Sequence, residues 1–311
     1  MECDKYHQDD HSRSQYQSVA VAENEYPADM AVAAAKKALD HAETSGDTLD
    51  FLTYTSIHRH GQPQLWCPAS YVQRELQANN ALPFALSQGC NSQMLTVDLY
   101  SKIMNSEKPM SALLVAADQF ASSRFDRWNS DYGLLYGDVA AALVLSNQRG
   151  FARILQIETV TDPFLEEMHR DDVPYTEQSE TYKDAHYSAR FTKKKFIEKH
   201  GKDIIMECTL LALTLLKKKM QDAFESHRVK YIAFPNLGKQ ILESSYYPHF
   251  KEAEKKSLWS YGSTIGHLGS ADCAASLAYL VEMNLLMKGD QVFLLGAGAG
   301  FTWTGIVIEI V

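Results

Sequence analysis

The sequence has no run approaching the roughly 20 consecutive apolar residues of a membrane-spanning helix, so none of its 311 residues reads as a helical span. Its opening stretch, MECDKYHQDDHSRSQYQ, lacks the apolar centre of a signal peptide, and the cytoplasm is the expected location. Positive charge is in deficit. Thirty Lys and Arg stand against 39 Asp and Glu, a net charge of −9, which argues against general attraction to nucleic acid or to anionic membranes. The five cysteines, Cys3, Cys67, Cys90, Cys208 and Cys273, are odd in number and show neither a Cys-x-x-Cys pair nor a Cys/His zinc spacing. A disulfide framework and a structural metal are therefore unsupported, and thiols are expected. The GAGAG stretch at 296–300 leads into a strand instead of a helix, with no acidic residue at the required distance, so it is no dinucleotide fingerprint.

What the sequence does hold is enough apolar material for a large core: 45% of residues are hydrophobic and 22% charged, as in a soluble globular protein. Segments of β type alternate with segments of helical spacing. Residues 49–57, 82–88, 111–119 and 138–146 read as strands, and 28–45, 69–79 and 91–106 as helices. A polar stretch, 161–185, separates these from a second series: a helix at 208–224, a strand at 231–235, helices near 238–250 and 270–287, and paired strands at 291–297 and 304–311. The pattern is α/β. Its two halves have similar strand-helix order, without a residue-level repeat. The expected division is 1–160, a connecting or cap segment 161–205, and 206–311.

Within "SQGCNSQ", Cys90 sits where a buried strand turns into a helix. Such a turn aims the thiol at the first free N–H groups of the helix, whose partial positive charge favours a thiolate. The same groups can hold an oxyanion, but a small buried side chain is the alternative at this position. The Gly/Ala loop in "GDQVFLLGAGAGFTW" (289–303) lets backbone approach a reacting atom, or simply makes a tight hairpin.

Six segments in one order, "ADMAVAAAKKALDHA", "SQGCNSQMLTVDLYSKIM", "ALLVAADQF", "YGDVAAALVLS", "GSTIGHLGSADCAASL" and "GDQVFLLGAGAGFTWTG", resemble the β-ketoacyl-acyl-carrier-protein synthase III family of thiolase-fold enzymes. The resemblance runs from about residue 28 to 311. It implies a duplicated five-layer α-β-α-β-α architecture, an active site between the halves, and Cys90 as the acyl-accepting nucleophile. It also implies oxyanion-hole donors at the backbone N–H groups of Cys90 and Ala299, and a dimer, either a homodimer or a heterodimer with a paralogue. The acyl donor implied is acyl-CoA or an acyl-pantetheine carrier protein, with no permanently bound cofactor. The basic segment 190–202 and the lysines at 217–219 are candidates to meet such a donor, a solvated lysine face being the alternative.

The departures from the family are informative. Carbon–carbon-joining members pair the cysteine with a histidine and an asparagine that donate hydrogen bonds to a malonyl thioester. Here the histidine stretch reads "FPNLGKQIL", with Pro235 or Asn236 at the position, and the asparagine stretch reads "IGHLGSAD", with His267 in place. Proline cannot donate, and a single imidazole near the cysteine suits proton removal from Cys90 and then from an incoming hydroxyl or amine. Asp272, five residues on, is placed to orient the ring, with a helix-dipole role as its alternative. The expected catalytic set is Cys90, His267 and Asp272, with Asn236 a further residue lining the site. This is similar to family members that transfer acyl groups without condensation, and specialised metabolite biosynthesis is the expected setting. A decarboxylative condensing synthase and a non-catalytic partner subunit are the alternatives. His58 and His60 read as loop residues, having only two ligand side chains and no carboxylate nearby. The usual apolar first strand is missing, shortened, or replaced by "QSVAVA" (17–22).

Overall fold

The computed structural model describes residues 6, 8–58, 65–122, 125–170, 188–220 and 228–311. Two four-stranded sheets organise the chain. The first contains β1 (Phe51–Thr55), β2 (Leu82–Leu86), β3 (Ser111–Asp118) and β6 (Val139–Ser146), in the order β2-β1-β3-β6. Strands β1, β2 and β3 run parallel and β6 antiparallel. Between β3 and β6 lies a two-stranded ribbon, β4 (Ala121–Ser122) and β5 (Phe125–Asp126). The second sheet orders β7 (Ala152–Thr161), β10 (Thr302–Ile310), β9 (Gln291–Gly298) and β8 (Val229–Ala233). It too is mixed, with one parallel pairing (β8 with β9) and two antiparallel ones where the first has two parallel and one antiparallel. The central strands are apolar throughout because both faces are covered: all eight residues of β9 and seven of eight in β3 are buried.

The helices complete five layers. On the outside of the first sheet lie α2 (Pro27–His41) and α3 (Pro68–Glu75), each opened by a proline at its first turn, where the missing N–H costs nothing. Ala31, Ala35 and Leu39 of α2 recur at helical spacing and pack on Leu52, Tyr54 and Val115. Between the sheets lie α4 (Ser92–Ile103) and α8 (Asp272–Glu282). Their Met94, Val97, Tyr100, Cys273, Leu277 and Leu280 meet Leu114 on one side and Val292, Leu294 and Ile306 on the other. Outside the second sheet, Leu213 and Leu216 of α6 (Ile204–Lys219) pack on Phe293 and Val307. This is the expected thiolase-like five-layer α/β architecture. In its central layer Cys90 lies just before α4 and Asp272 opens α8.

Four local expectations change. Strand β7 has no counterpart in the sequence reading. It is the edge of the second sheet, pairing among the described residues with β10, and three consecutive exposed residues, Arg153, Ile154 and Leu155, break its alternation. The sequence division at 160 consequently falls inside a strand of the second sheet. The helix expected near 238–250 is a succession of short turns, Lys239–Ile241, Leu242–Tyr246 and Tyr247–His249, since Pro248 cannot continue an α-helix. The helix expected at 208–224 begins at Ile204, and 221–227 lie outside the described residues. Finally, 17–22 joins neither sheet. The N–H groups of Gln17 and Ala20 bond instead to the carbonyls of Ser263 and Ile265.

Candidate active site

Strand β2 ends at Leu86 and α4 starts at Ser92, leaving a turn centred on Gly89 and Cys90. Gly89 has φ +53°, a left-handed conformation that glycine adopts without strain. The Ser92 hydroxyl locks the turn by accepting the Gln88 N–H at 2.7 Å and donating to the Gly89 carbonyl at 2.7 Å. Asn91 ties it to the other half of the chain: its amide donates to the hydroxyls of Thr302 (2.8 Å) and Thr304 (2.9 Å) on β10.

The glycine-rich loop between β9 and β10 lies directly against this turn. A Cβ on Gly298 would sit 2.2 Å from the Asn91 nitrogen and 2.8 Å from the Cys90 nitrogen, so only glycine fits. The Gln88 amide donates to the Ala299 carbonyl at 3.0 Å. The Ala299 nitrogen is 2.9 Å from where a Cβ on Gly89 would lie. The backbones of Cys90 and Ala299, read from sequence as the two oxyanion donors, are thus brought to one place.

His267 reaches the same place from the second half. It follows α7 (Trp259–Ile265), and its backbone is fixed by His267 N–H to Leu135 carbonyl (2.7 Å) and Gly137 N–H to His267 carbonyl (2.9 Å). The ring packs edge-on against Tyr136, with centroids 5.3 Å apart. Its Nε2 is 3.0 Å from Cys90 Sγ and its Nδ1 2.6 Å from Asp272 Oδ2. Asp272, at the start of α8, also accepts the Leu268 N–H on Oδ1 and the Asn236 N–H on Oδ2, both at 2.8 Å. With donors converging on this carboxylate, Nδ1 carries a hydrogen, and Nε2 shares one proton with Cys90, its lone pair facing S–H in the neutral pair and its N–H facing sulfur in the thiolate–imidazolium pair. His267 and Asp272 are 1% and 4% exposed, so water does not screen the pair. Burial pushes the imidazole pKa down, but the Asp272 carboxylate, the charge on Cys90 and the hydrogen bonds to both outweigh it and hold the ring well above its ordinary value.

The sequence-expected set of Cys90, His267 and Asp272 is therefore contiguous in space. Asp272→Asn keeps the shape but removes the charge that stabilises the imidazolium. The loss of one charged hydrogen bond predicts a turnover reduced about 10- to 100-fold, with stability lower by about 1–3 kcal/mol because the new NH2 must face one of the two backbone N–H donors. A helix-dipole role alone would leave the rate intact, and steady-state kinetics separate the two.

Asn236 is 4% exposed. Its backbone N–H serves Asp272, and its side-chain amide donates to the Gly266 carbonyl at 3.1 Å. It supports the carboxylate from behind. His58 has a carboxylate closer than the sequence indicated: its Nδ1 is 3.7 Å from Asp118, and its ring lies against Phe120 and Phe125. His60 lies outside the described residues, among which no group of three or more His, Cys, Asp or Glu could hold a metal. The basic segment 190–202 proves largely paired. On α5 (Ala189–His200), Arg190 meets Asp10, Lys193 meets Asp131 and Lys199 meets Glu167, leaving less free positive charge than the sequence shows. The lysines at 217–219 remain exposed. Sequence reasoning missed Asn91, Tyr136 and Tyr16, whose hydroxyl donates to the Asn236 carbonyl at 2.5 Å. Their partners lie 131 to 220 positions away, and no local pattern signals them.

No helix among the described residues is long and apolar enough to cross a membrane. Two family models match the chain: "3-Oxoacyl-[acyl-carrier-protein (ACP)] synthase III" over residues 84–163 and its "C terminal" counterpart over 220–310. The β-ketoacyl-[acyl-carrier-protein] synthase III of Clostridium tetani is 25% identical over 298 residues, 93% of this chain and 86% of its own length. The solved structure of ChlB3, described as an acyltransferase, is 29% identical and superposes with a TM-score of 0.88, covering 100% of this chain and 92% of the other. The synthase III of Aquifex aeolicus shares the fold at a TM-score of 0.74 and 20% identity, with 96% and 89% covered. The two matched segments together span more than half of the sequence, and the chain belongs to the 3-oxoacyl-[acyl-carrier-protein] synthase III-like family of the thiolase fold, as a divergent member.

Proposed function

We propose that this protein is an acyltransferase. It takes a short acyl group from acyl-CoA or an acyl-carrier thioester onto Cys90 and passes it to a hydroxyl or amine acceptor, in specialised metabolite biosynthesis. One observation carries the reading: a single imidazole bridges the thiol and a buried carboxylate through its two nitrogens. Cys90 Sγ attacks the donor carbonyl while its proton passes to His267 Nε2. The tetrahedral oxyanion is held by the N–H groups of Cys90 and Ala299, a donor of this kind being worth about 3 kcal/mol. Collapse expels the pantetheine thiolate, which takes the proton from the imidazolium. In the second half His267 accepts the proton of the acceptor's O–H or N–H as it attacks the acyl-enzyme, then returns it to the departing Cys90 sulfur.

Condensation would need two side-chain donors on a malonyl thioester carbonyl. Pro235 offers none, and one of the two amide N–H groups of the buried Asn236 is given to the Gly266 carbonyl. Likeness to an acyltransferase of known structure supports transfer as well. The outer edge of β2, where Leu82 is 64% exposed, offers a surface for dimer formation with a second copy or a paralogue.

The test offers the protein an acyl thioester together with hydroxyl and amine acceptors, and separately a carboxyl-labelled malonyl thioester. Acylated acceptor without release of labelled carbon dioxide is the expected result. Release of label with a β-ketoacyl product would assign condensation instead. Absence of any acyl-enzyme mass would assign a non-catalytic partner.

A further inference from the structure

We infer that Tyr16 is a positioning residue for the acyl-transfer site, acting through Asn236 on Asp272. The inference rests on the reading of Cys90, His267 and Asp272 as one catalytic unit. It comes from a segment with no part in either sheet. Residues 17–20 donate backbone hydrogen bonds to the carbonyls of Ser263 and Ile265 at the end of α7, and just before them Tyr16 sends its side chain inward. That ring is 1% exposed and packs on Trp259 with centroids 5.3 Å apart.

From its hydroxyl an unbroken series of contacts leads to the nucleophile. Tyr16 O–H donates to the Asn236 carbonyl at 2.5 Å, and the Asn236 N–H donates to Asp272 Oδ2 at 2.8 Å. That same oxygen is 2.6 Å from His267 Nδ1, whose Nε2 is 3.0 Å from Cys90 Sγ. Asn236 is held at three points, by Tyr16 at its carbonyl, by Asp272 at its N–H and by Gly266 at its side chain. The first of these fixes the tilt of the residue that aims an N–H at the catalytic oxygen. Without it the Asn236 N–H is aimed less well at Asp272 Oδ2, the carboxylate relies on the Leu268 N–H at Oδ1, and the imidazolium loses part of its stabilisation.

The surrounding groups allow the hydroxyl to remain a donor. Burial, then the Asp272 charge, pushes the Tyr16 pKa well up, with Tyr6 and Asp131 adding to the rise and a backbone hydrogen bond at Leu135 opposing it. Tyr261 and Cys273, the other titratable groups beside Asp272, are both pushed up, first by burial. On the far side of His267 stand Cys90 and the Tyr136 ring. Tyr16, Tyr261 and Cys273 thus keep their protons near neutrality, and a pH response there belongs to the Cys90–His267 pair.

A separate part of the same segment serves as control. Helix α1 (Gln8–Ser14) is clamped by Arg190 to Asp10 and by Tyr6 to the Ser14 hydroxyl at 2.9 Å. It anchors the arm away from Asp272 and meets the series of contacts at its outer end, where His11 Nε2 lies 3.2 Å from the Tyr16 backbone carbonyl.

The experiment follows alkylation of Cys90 by iodoacetamide, read by intact mass across pH, beside turnover. The alkylation midpoint reports on the thiol–imidazole pair whether or not the protein transfers acyl groups. A wild-type protein that transfers nothing would remove the proposed activity while leaving this test in force. Tyr16→Phe keeps the ring and removes the hydroxyl. It should raise the midpoint pH and slow alkylation at neutral pH, and reduce kcat about tenfold with KM for the acyl donor little changed. Arg190→Ala should lower the melting temperature and leave the midpoint in place. Trp259→Phe retains the hydroxyl but loosens the ring that aims it, and should shift the midpoint the same way by less; it keeps the test decisive if Tyr16→Phe does not fold. A folded Tyr16→Phe or Trp259→Phe protein with a wild-type midpoint overturns the inference. So does an Arg190→Ala midpoint displaced as far as that of Tyr16→Phe.

Discussion

Cys90→Ala should leave no acyl adduct and reduce turnover about 10⁴- to 10⁶-fold, the scale on which loss of a nucleophile is felt. Two of the other three described cysteines are poor substitutes. Burial, with Asp162 beside it, pushes the Cys208 thiol up to about 11, and burial pushes Cys273 higher still. Among the four described cysteines, Cys90 alone has a histidine nitrogen within hydrogen-bond distance. The fold should tolerate the change, because the turn is held by Ser92 and Asn91 instead of by the sulfur. Intact-mass measurement after exposure to a short acyl-CoA or acyl-carrier thioester decides the matter. An equal adduct on Cys90→Ala would move the nucleophile to another thiol.

His267→Ala should reduce turnover about 10²- to 10⁴-fold, the usual contribution of a positioned acid or base. Both halves of the reaction should slow, since one nitrogen handles the proton of the thiol, of the leaving group and of the acceptor. The substitution also leaves Asp272 buried with only backbone donors, at a cost to stability of about 1–3 kcal/mol. Rapid-quench measurement of acylation and deacylation separates a lost base from a damaged pocket. A lost base retards both steps, whereas damage confined to the acceptor side spares the first. Retained activity would shift the base to another histidine. His58 is the nearest in character, but its ring is enclosed by Phe120 and Phe125.

The parts of the site that could be read from the sequence are those written locally. Cys90 stands between an apolar run and a helical pattern, and that transition is visible in seven residues. His267 and Asp272 are five apart across a short turn into a helix, close enough for spacing alone to pair them. Alternation of strands and helices gave the α/β class, because central strands covered on both faces form apolar runs, while the five layers came from the family resemblance. Legibility ended where a segment answers to something remote. The alternating apolar residues of "QSVAVA" look like a strand, yet their backbone partners belong to the turn at Ser263 and Ile265. Strand β7 is an edge, half solvated, and so weakly patterned. In the sequence Asn236 reads as a side chain lining the site, while its contact with Asp272 is made by a backbone N–H that sequence cannot display. The charge of segment 190–202 was legible, but its neutralisation by Asp10, Asp131 and Glu167 was not, because opposite charges meet there only in three dimensions.

The absence of room at Gly298 bears on heredity as well as on chemistry. The turn at Gln88–Asn91 and the loop at Gly296–Gly300 interlock at backbone distances, although more than 200 codons separate them. A recombination event that joined the front of this gene to the back of a relative's would conserve every catalytic letter and still bring together two surfaces shaped in different lineages. Inheritance of the site is therefore inheritance of a matched pair of ends, and exchange is tolerable only between relatives whose loops and turns have kept the same contour.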